Sequence, residues 1–122
     1  MEGDRIYEES KAELRSVLQR IDSDSVTISM KVLDGNSKLG ITTVIQKVMS
    51  ERCKTIDKLE NSSIYEESVE EMKAILRTLS GDYVTLDFSK LDDNTKRDLI
   101  SVLKKVIHER LRSIDKVILG AK

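Results

Sequence analysis

The chain contains itself twice. Ile6-Tyr7-Glu8-Glu9-Ser10 returns 58 positions later as Ile64-Tyr65-Glu66-Glu67-Ser68, and segments 6–58 and 64–116 then align without a gap. Of the 53 aligned positions, 22 are identical. Most differences at apolar positions preserve character: Leu14 against Met72, Val17 against Ile75, Ile28 against Leu86, Met30 against Phe88. A gapless match of this length marks the duplication of one unit, and a repeat governs the architecture ahead of any local propensity. The linker is short, roughly Leu59 to Ser63.

Each unit has the same internal pattern. Tyr7, Leu14, Val17, Leu18 and Ile21 share one helical stripe, as do Tyr65, Met72, Ile75, Leu76 and Leu79. Ser63 followed by Glu66 has the form of a capping box at the start of the second copy's first helix. A turn follows, then Val26-Thr27-Ile28-Ser29-Met30 and Val84-Thr85-Leu86-Asp87-Phe88 alternate with period two, the pattern of a half-buried strand. Beyond a second polar segment, Ser37 and Thr95 are expected N-caps, Thr95 pairing with Asp98. The last helix is expected over about 38–59 and 96–119, with the stripe Ile41, Val44, Ile45, Val48, Met49, Ile56 matched by Leu99, Val102, Leu103, Val106, Ile107, Ile114.

A lone helix–strand–helix unit has two open strand edges and cannot close a core. The expected fold is therefore α+β and mostly α. Two tandem repeats, 6–58 and 64–116, are related by a pseudo-twofold, with strand 26–30 antiparallel to strand 84–88 and four helices over one face. Residues 1–122 form one domain in this reading. Two strands make a marginal sheet, so self-association into a wider sheet or a helix bundle is the natural extension.

Composition narrows the setting. The net charge is −1, which selects no partner class. No apolar run approaches the ~18 residues that span a bilayer, the first residues lack an apolar signal core, and a single cysteine, Cys53, forms no internal disulfide. The expectation is a cytoplasmic protein without a membrane partner. The chain contains no proline, which suits long helices.

Several constellations invite a chemical reading and do not support one. Asp34-Gly35-Asn36-Ser37-Lys38 opens like a calcium loop, but its twelfth position is Ile45, Leu103 in the copy, where a bidentate glutamate is required. Gly35 and Gly40 lack phosphate-loop spacing, and the copy has Asp93 and Asp98 there. The one histidine, His108, has no partner for a zinc site, and Cys53 has no base in its own repeat. Glu8, Glu9, Glu66, Glu67, Glu70 and Glu71 sit where acidic side chains complement a helix dipole. The sequence thus predicts no enzyme, cofactor or metal. Polar residues identical in both copies include Tyr7/Tyr65, Asp24/Asp82, Asp34/Asp92, Asn36/Asn94, Arg52/Arg110 and Asp57/Asp115. Their expected work is capping, turns and charge pairing.

Charge is uneven along the chain: residues 59–95 are net −6 and residues 96–122 net +5. The acidic helix 64–79 and the basic final helix are expected to pair. The final helix also aligns Lys104, His108 and Arg112, flanked by Arg97, Lys105 and Lys116, a stripe able to follow a phosphate backbone. The order of strand 26–30, a helix, then the helix from Ile64 resembles the ribbon–helix–helix family in outline. It departs from that family in its long helix after the strand, its extra helix before it, and outward strand residues Thr27, Ser29, Thr85 and Asp87 that include no base-reading arginine or lysine. The favoured function is a non-enzymatic interaction or assembly module that self-associates or binds another protein. Nucleic-acid binding along the final helix is the alternative.

Overall fold

The computed structural model describes residues 2–120. Their order is α1 (Glu2–Arg20), β1 (Ser25–Ser29), α2 (Gly35–Asp57), α3 (Glu66–Thr78), β2 (Tyr83–Asp87) and α4 (Asp93–Gly120), with short 3₁₀ turns at Met30–Val32, Ser62–Tyr65 and Phe88–Lys90. The fold is α+β and mostly helical, with one two-stranded antiparallel sheet. Ser25 pairs with Asp87, Thr27 with Thr85 and Ser29 with Tyr83. Alternation has its expected consequence: Val26, Ile28, Val84 and Leu86 are buried, while Thr27 and Thr85 face outward, their hydroxyls hydrogen-bonded to each other at 3.0 Å. Met30 and Phe88 lie just past the strands and open the 3₁₀ turns, yet stay in the core.

The helices interlace. α1 lies along α4, α3 along α2, and α2 along α4. The helix partners of each helix thus lie in the other half of the sequence. α2 and α4 run antiparallel, as the Ser37–Arg110 and Arg52–Thr95 hydrogen bonds require. A Cβ on Gly40 would meet Val106 Cγ2 at 3.3 Å, which marks how closely the two helices approach. α1 and α4 are also antiparallel, with Lys11 on Asp115 at 2.6 Å and Lys104 on Asp22 at 3.6 Å. One buried cluster draws on both strands and all four helices, from Leu14, Val17 and Ile21 to Leu99, Leu103, Ile107 and Ile114.

Three local expectations need correction. The cap of α2 is Asp34, whose side chain accepts from Ser37 N at 3.2 Å, so Ser37 lies inside the first turn. Asp92 does the same for Thr95, at 3.2 Å. A carboxylate three residues before a buried hydroxyl can accept more bonds at a helix start than the hydroxyl can. The Ser63–Glu66 box does not form: residues 62–65 make a 3₁₀ turn, and neither Asn61 nor Tyr65 caps with its side chain. Lastly, α4 does not take the acidic α3 as its partner. Its ion pairs run to Lys11, Asp22 and Asp34, because the interlaced packing lays α4 on α1 and α2.

Candidate interaction surface

The repeated polar residues assemble into two crossed clusters. Ser10 Oγ donates to Asp34 Oδ1 at 2.6 Å and accepts from Asp34 N at 3.1 Å. Arg110 completes the group from α4, donating through Nε to Ser37 Oγ at 2.8 Å and through Nη2 to Asp34 Oδ2 at 3.0 Å. At the other end, Ser68 Oγ donates to Asp92 Oδ1 at 2.6 Å, and Thr95 Oγ1 donates to the same atom at 2.7 Å. Arg52 reaches across from α2 to Thr95 Oγ1 at 2.9 Å and to Asp92 Oδ2 at 3.3 Å. Each arginine therefore serves the helix start of the half to which it does not belong.

Partial burial works against ionisation of both carboxyls. For Asp34, the hydrogen bonds from Ser10 and Ser37 and the Arg110 charge outweigh it, and the carboxyl lies below its ordinary value. Ser68, Thr95 and Arg52 do the same for Asp92. These aspartates are held ionised by donors that fill their lone pairs, which is the chemistry of a structural clamp and not of a proton-transferring acid. No buried side-chain nitrogen or oxygen among the described residues lacks a hydrogen-bond partner.

Other singled-out residues are scattered. His108 is exposed. Cys53 is half-buried, and burial with nearby Asp57 pushes its thiol up, partly opposed by Lys73. Asp24 and Asp82 contribute backbone carbonyls, accepting from Ser89 N at 3.2 Å and Met30 N at 2.8 Å. Asn36 and Asn94 are exposed. Of the basic stripe, Arg97, Lys105, Arg112 and Lys116 are exposed, while Lys104 is half-buried and tied to Asp22. Arg97 and Lys104 line one shallow hollow with Asp93, Lys96 and Ile100, and Lys105 lines a different one. No group of three or more metal-ligating side chains occurs among the described residues, and no helix among them is long and apolar enough to cross a membrane.

That second hollow differs from the rest of the surface. It is an open groove of about 470 Å³ between α2 and α4, lined by four pairs of repeat-equivalent residues: Val44 with Val102, Lys47 with Lys105, Val48 with Val106 and Glu51 with Glu109. All four pairs are identical in both copies. Neighbouring positions on the same helices have diverged: Thr43 to Ser101, Gln46 to Lys104, Ser50 to His108 and Lys54 to Arg112. The shallow hollow beside Arg97 is built mostly from diverged positions: Asp93, Arg97 and Ile100 stand where the first copy has Gly35, Leu39 and Thr42, while Lys96 matches Lys38. Val44, Val102 and Val106 are only half-buried although they belong to the helical stripes that build the core. The apolar stripe of each long helix is thus wider than the core uses.

Comparison of the chain with protein-family models, curated proteins and solved structures finds no match.

Proposed function

We propose that this chain is a non-enzymatic assembly module, a single domain of two fused copies of an ancestral dimerising unit, which docks protein partners through the α2/α4 groove. The observation that carries this reading is the identity of all four residue pairs lining the groove, next to helix positions such as Gln46/Lys104 and Ser50/His108 that have diverged. Core residues keep their volume because packing demands it. Half-exposed valines and exposed lysines and glutamates face no such demand, and their agreement in both copies points to a surface used by a partner.

The pseudo-twofold relation of the copies is supported by matched geometry. The strand register is centred on the Thr27–Thr85 pair, and the Ser10–Asp34–Arg110 and Ser68–Asp92–Arg52 clusters repeat each other bond for bond at most positions. Under such a twofold the groove, lined by residues that correspond between the halves, would present the same surface to a partner from either half. The lone thiol, which forms no internal disulfide, suits a cytoplasmic setting for such a module.

The test is a docking measurement on the intact chain. Replacing Val44 and Val102 by Ser should abolish association without changing the unfolding midpoint by more than a few degrees. Association that persists unchanged in this variant removes the groove from the proposal.

A further inference from the structure

We infer that the occupant of the α2/α4 groove is a second copy of this chain, stacked face to face to give a four-helix seam between the two copies. This inference rests on the docking role proposed above and names its partner. Its independent support is the charge pattern. Lys47, Glu51, Lys105 and Glu109 are all exposed, and among the described residues none of the four enters an ion pair within the chain. A groove carrying two lysines and two glutamates around half-buried valines is complementary to itself. It does not favour a uniformly acidic or basic ligand.

Symmetry makes this complementarity usable. A twofold between copies places the same patch on both sides of the interface, so every contact is made twice. Here the patch already carries its own internal twofold, so each favourable contact is made four times. Val44, Val102 and Val106 then extend the apolar stripe across the seam, and the lysines of one copy meet the glutamates of the other at its rim. The helices supply the area: α2 has 23 residues and α4 has 28, about 35 Å and about 42 Å at ~1.5 Å per residue, enough to build the roughly 800 Å² per partner of a standard interface.

The experiment uses charge exchange on the full chain. One variant carries Lys47→Glu and Lys105→Glu, so the groove is wholly acidic; the other carries Glu51→Lys and Glu109→Lys, so it is wholly basic. Mass is measured by sedimentation equilibrium at low and high salt, with far-UV circular dichroism confirming that both variants fold. Wild type should be a dimer. Each variant alone should be monomeric at the same concentration, its dimer dissociation constant raised by about thirtyfold or more, since four rim pairs turn from attraction to repulsion. An equimolar mixture should restore the dimer mass, and added salt should weaken that mixed dimer. A wild type that stays monomeric to millimolar concentration overturns the second-copy inference while leaving the groove open to a different protein. A wild-type dimer whose constant is the same in both variants overturns the docking role of the groove itself.

Discussion

Replacing Arg110 by Ala tests whether the crossed arginines hold the two halves together. The change removes two hydrogen bonds from α4 to the start of α2, at 2.8 Å to Ser37 Oγ and 3.0 Å to Asp34 Oδ2. The side chains of Arg110 and Asp34 are 18% and 6% exposed, so the pair is largely shielded from water. Hydrogen bonds to charged groups contribute about 1.5–3 kcal/mol. Asp34 keeps its bonds from Ser10 and Ser37 N, which lowers the cost of leaving it without its cation. The expected loss is about 2–3 kcal/mol, or about 8–12 °C in the melting midpoint for a chain of this size. Urea unfolding followed at 222 nm measures it, in a double-mutant cycle with Asp34→Asn, and the coupling should be at least about 1 kcal/mol. Acid supplies an internal control. The Asp34 carboxyl is depressed in the folded state, so its stabilisation is fully present above the unfolded value of about 3.9 and is lost as pH falls through the lower folded value. The gap between wild type and Arg110→Ala should therefore narrow below about pH 4. A loss under 0.5 kcal/mol at pH 7 on the scale of ordinary surface changes, or a full loss with no coupling to Asp34, refutes the clamp.

Three further outcomes follow from the same geometry. A chain ending near Glu60 lacks the packing partners of α1 and α2, which are α4 and α3, so it should be unfolded or dimeric; a folded monomer by sedimentation and circular dichroism contradicts the shared core. Ile28→Asp or Leu86→Asp buries a charge and should cost several kcal/mol, whereas Thr27→Asp, on the exposed face, should stay within about 1 kcal/mol in the same urea assay, the excess over an ordinary surface change reflecting the lost Thr85 bond. Changing Lys104, Lys105 and Arg112 together to Gln removes, among the described residues, one ion pair, the partly exposed Lys104–Asp22, and should lower stability by less than about 1 kcal/mol; loss of duplex DNA binding at near-physiological salt in this variant, with stability unchanged, would put the nucleic-acid reading first.

The elements of this fold were legible because the repeat supplied each of them twice. Val26–Met30 and Val84–Phe88 alternate in step, and either alone would be a weak strand signal. Antiparallel pairing followed from the open edges of one unit. Helix starts were misplaced by three residues, because Asp-x-x-Ser and Asp-x-x-Thr offer two capping side chains and sequence alone does not show which points at the backbone. The partner of α4 was misread for a different reason. Segment charges of −6 and +5 describe averages over adjacent stretches, while ion pairs depend on which helices touch, and here α4 meets Lys11, Asp22 and Asp34. Arg52 and Arg110 find partners 40 and 76 residues away. Their identity in both copies beside an apolar stripe was the available signal. The same signal was present at Val44, Lys47 and Glu51, where identity at an offset of 58 coincides with incomplete burial.

Interlacing also shapes how this chain comes into being. During synthesis α1, β1 and α2 emerge first, while β2, α3 and α4, which pair with β1 and pack on α2 and α1, are still to be made. Residues 1–57 therefore leave the ribosome as a sticky intermediate whose natural complement is any second half, its own or that of a neighbouring nascent chain. Competition between the two is decided by tether length. The segment from Lys58 to Asn61 joins α2 to the turn before α3, and so short a connection keeps the chain's own second half at an effective concentration in the millimolar range. Lengthening that connection with flexible residues lowers the effective concentration, and straightening it into a continuous helix prevents the halves from folding back. In the second case two chains exchange halves, and the product is a dimer held by the same Arg52–Asp92 and Arg110–Asp34 contacts, now made between molecules.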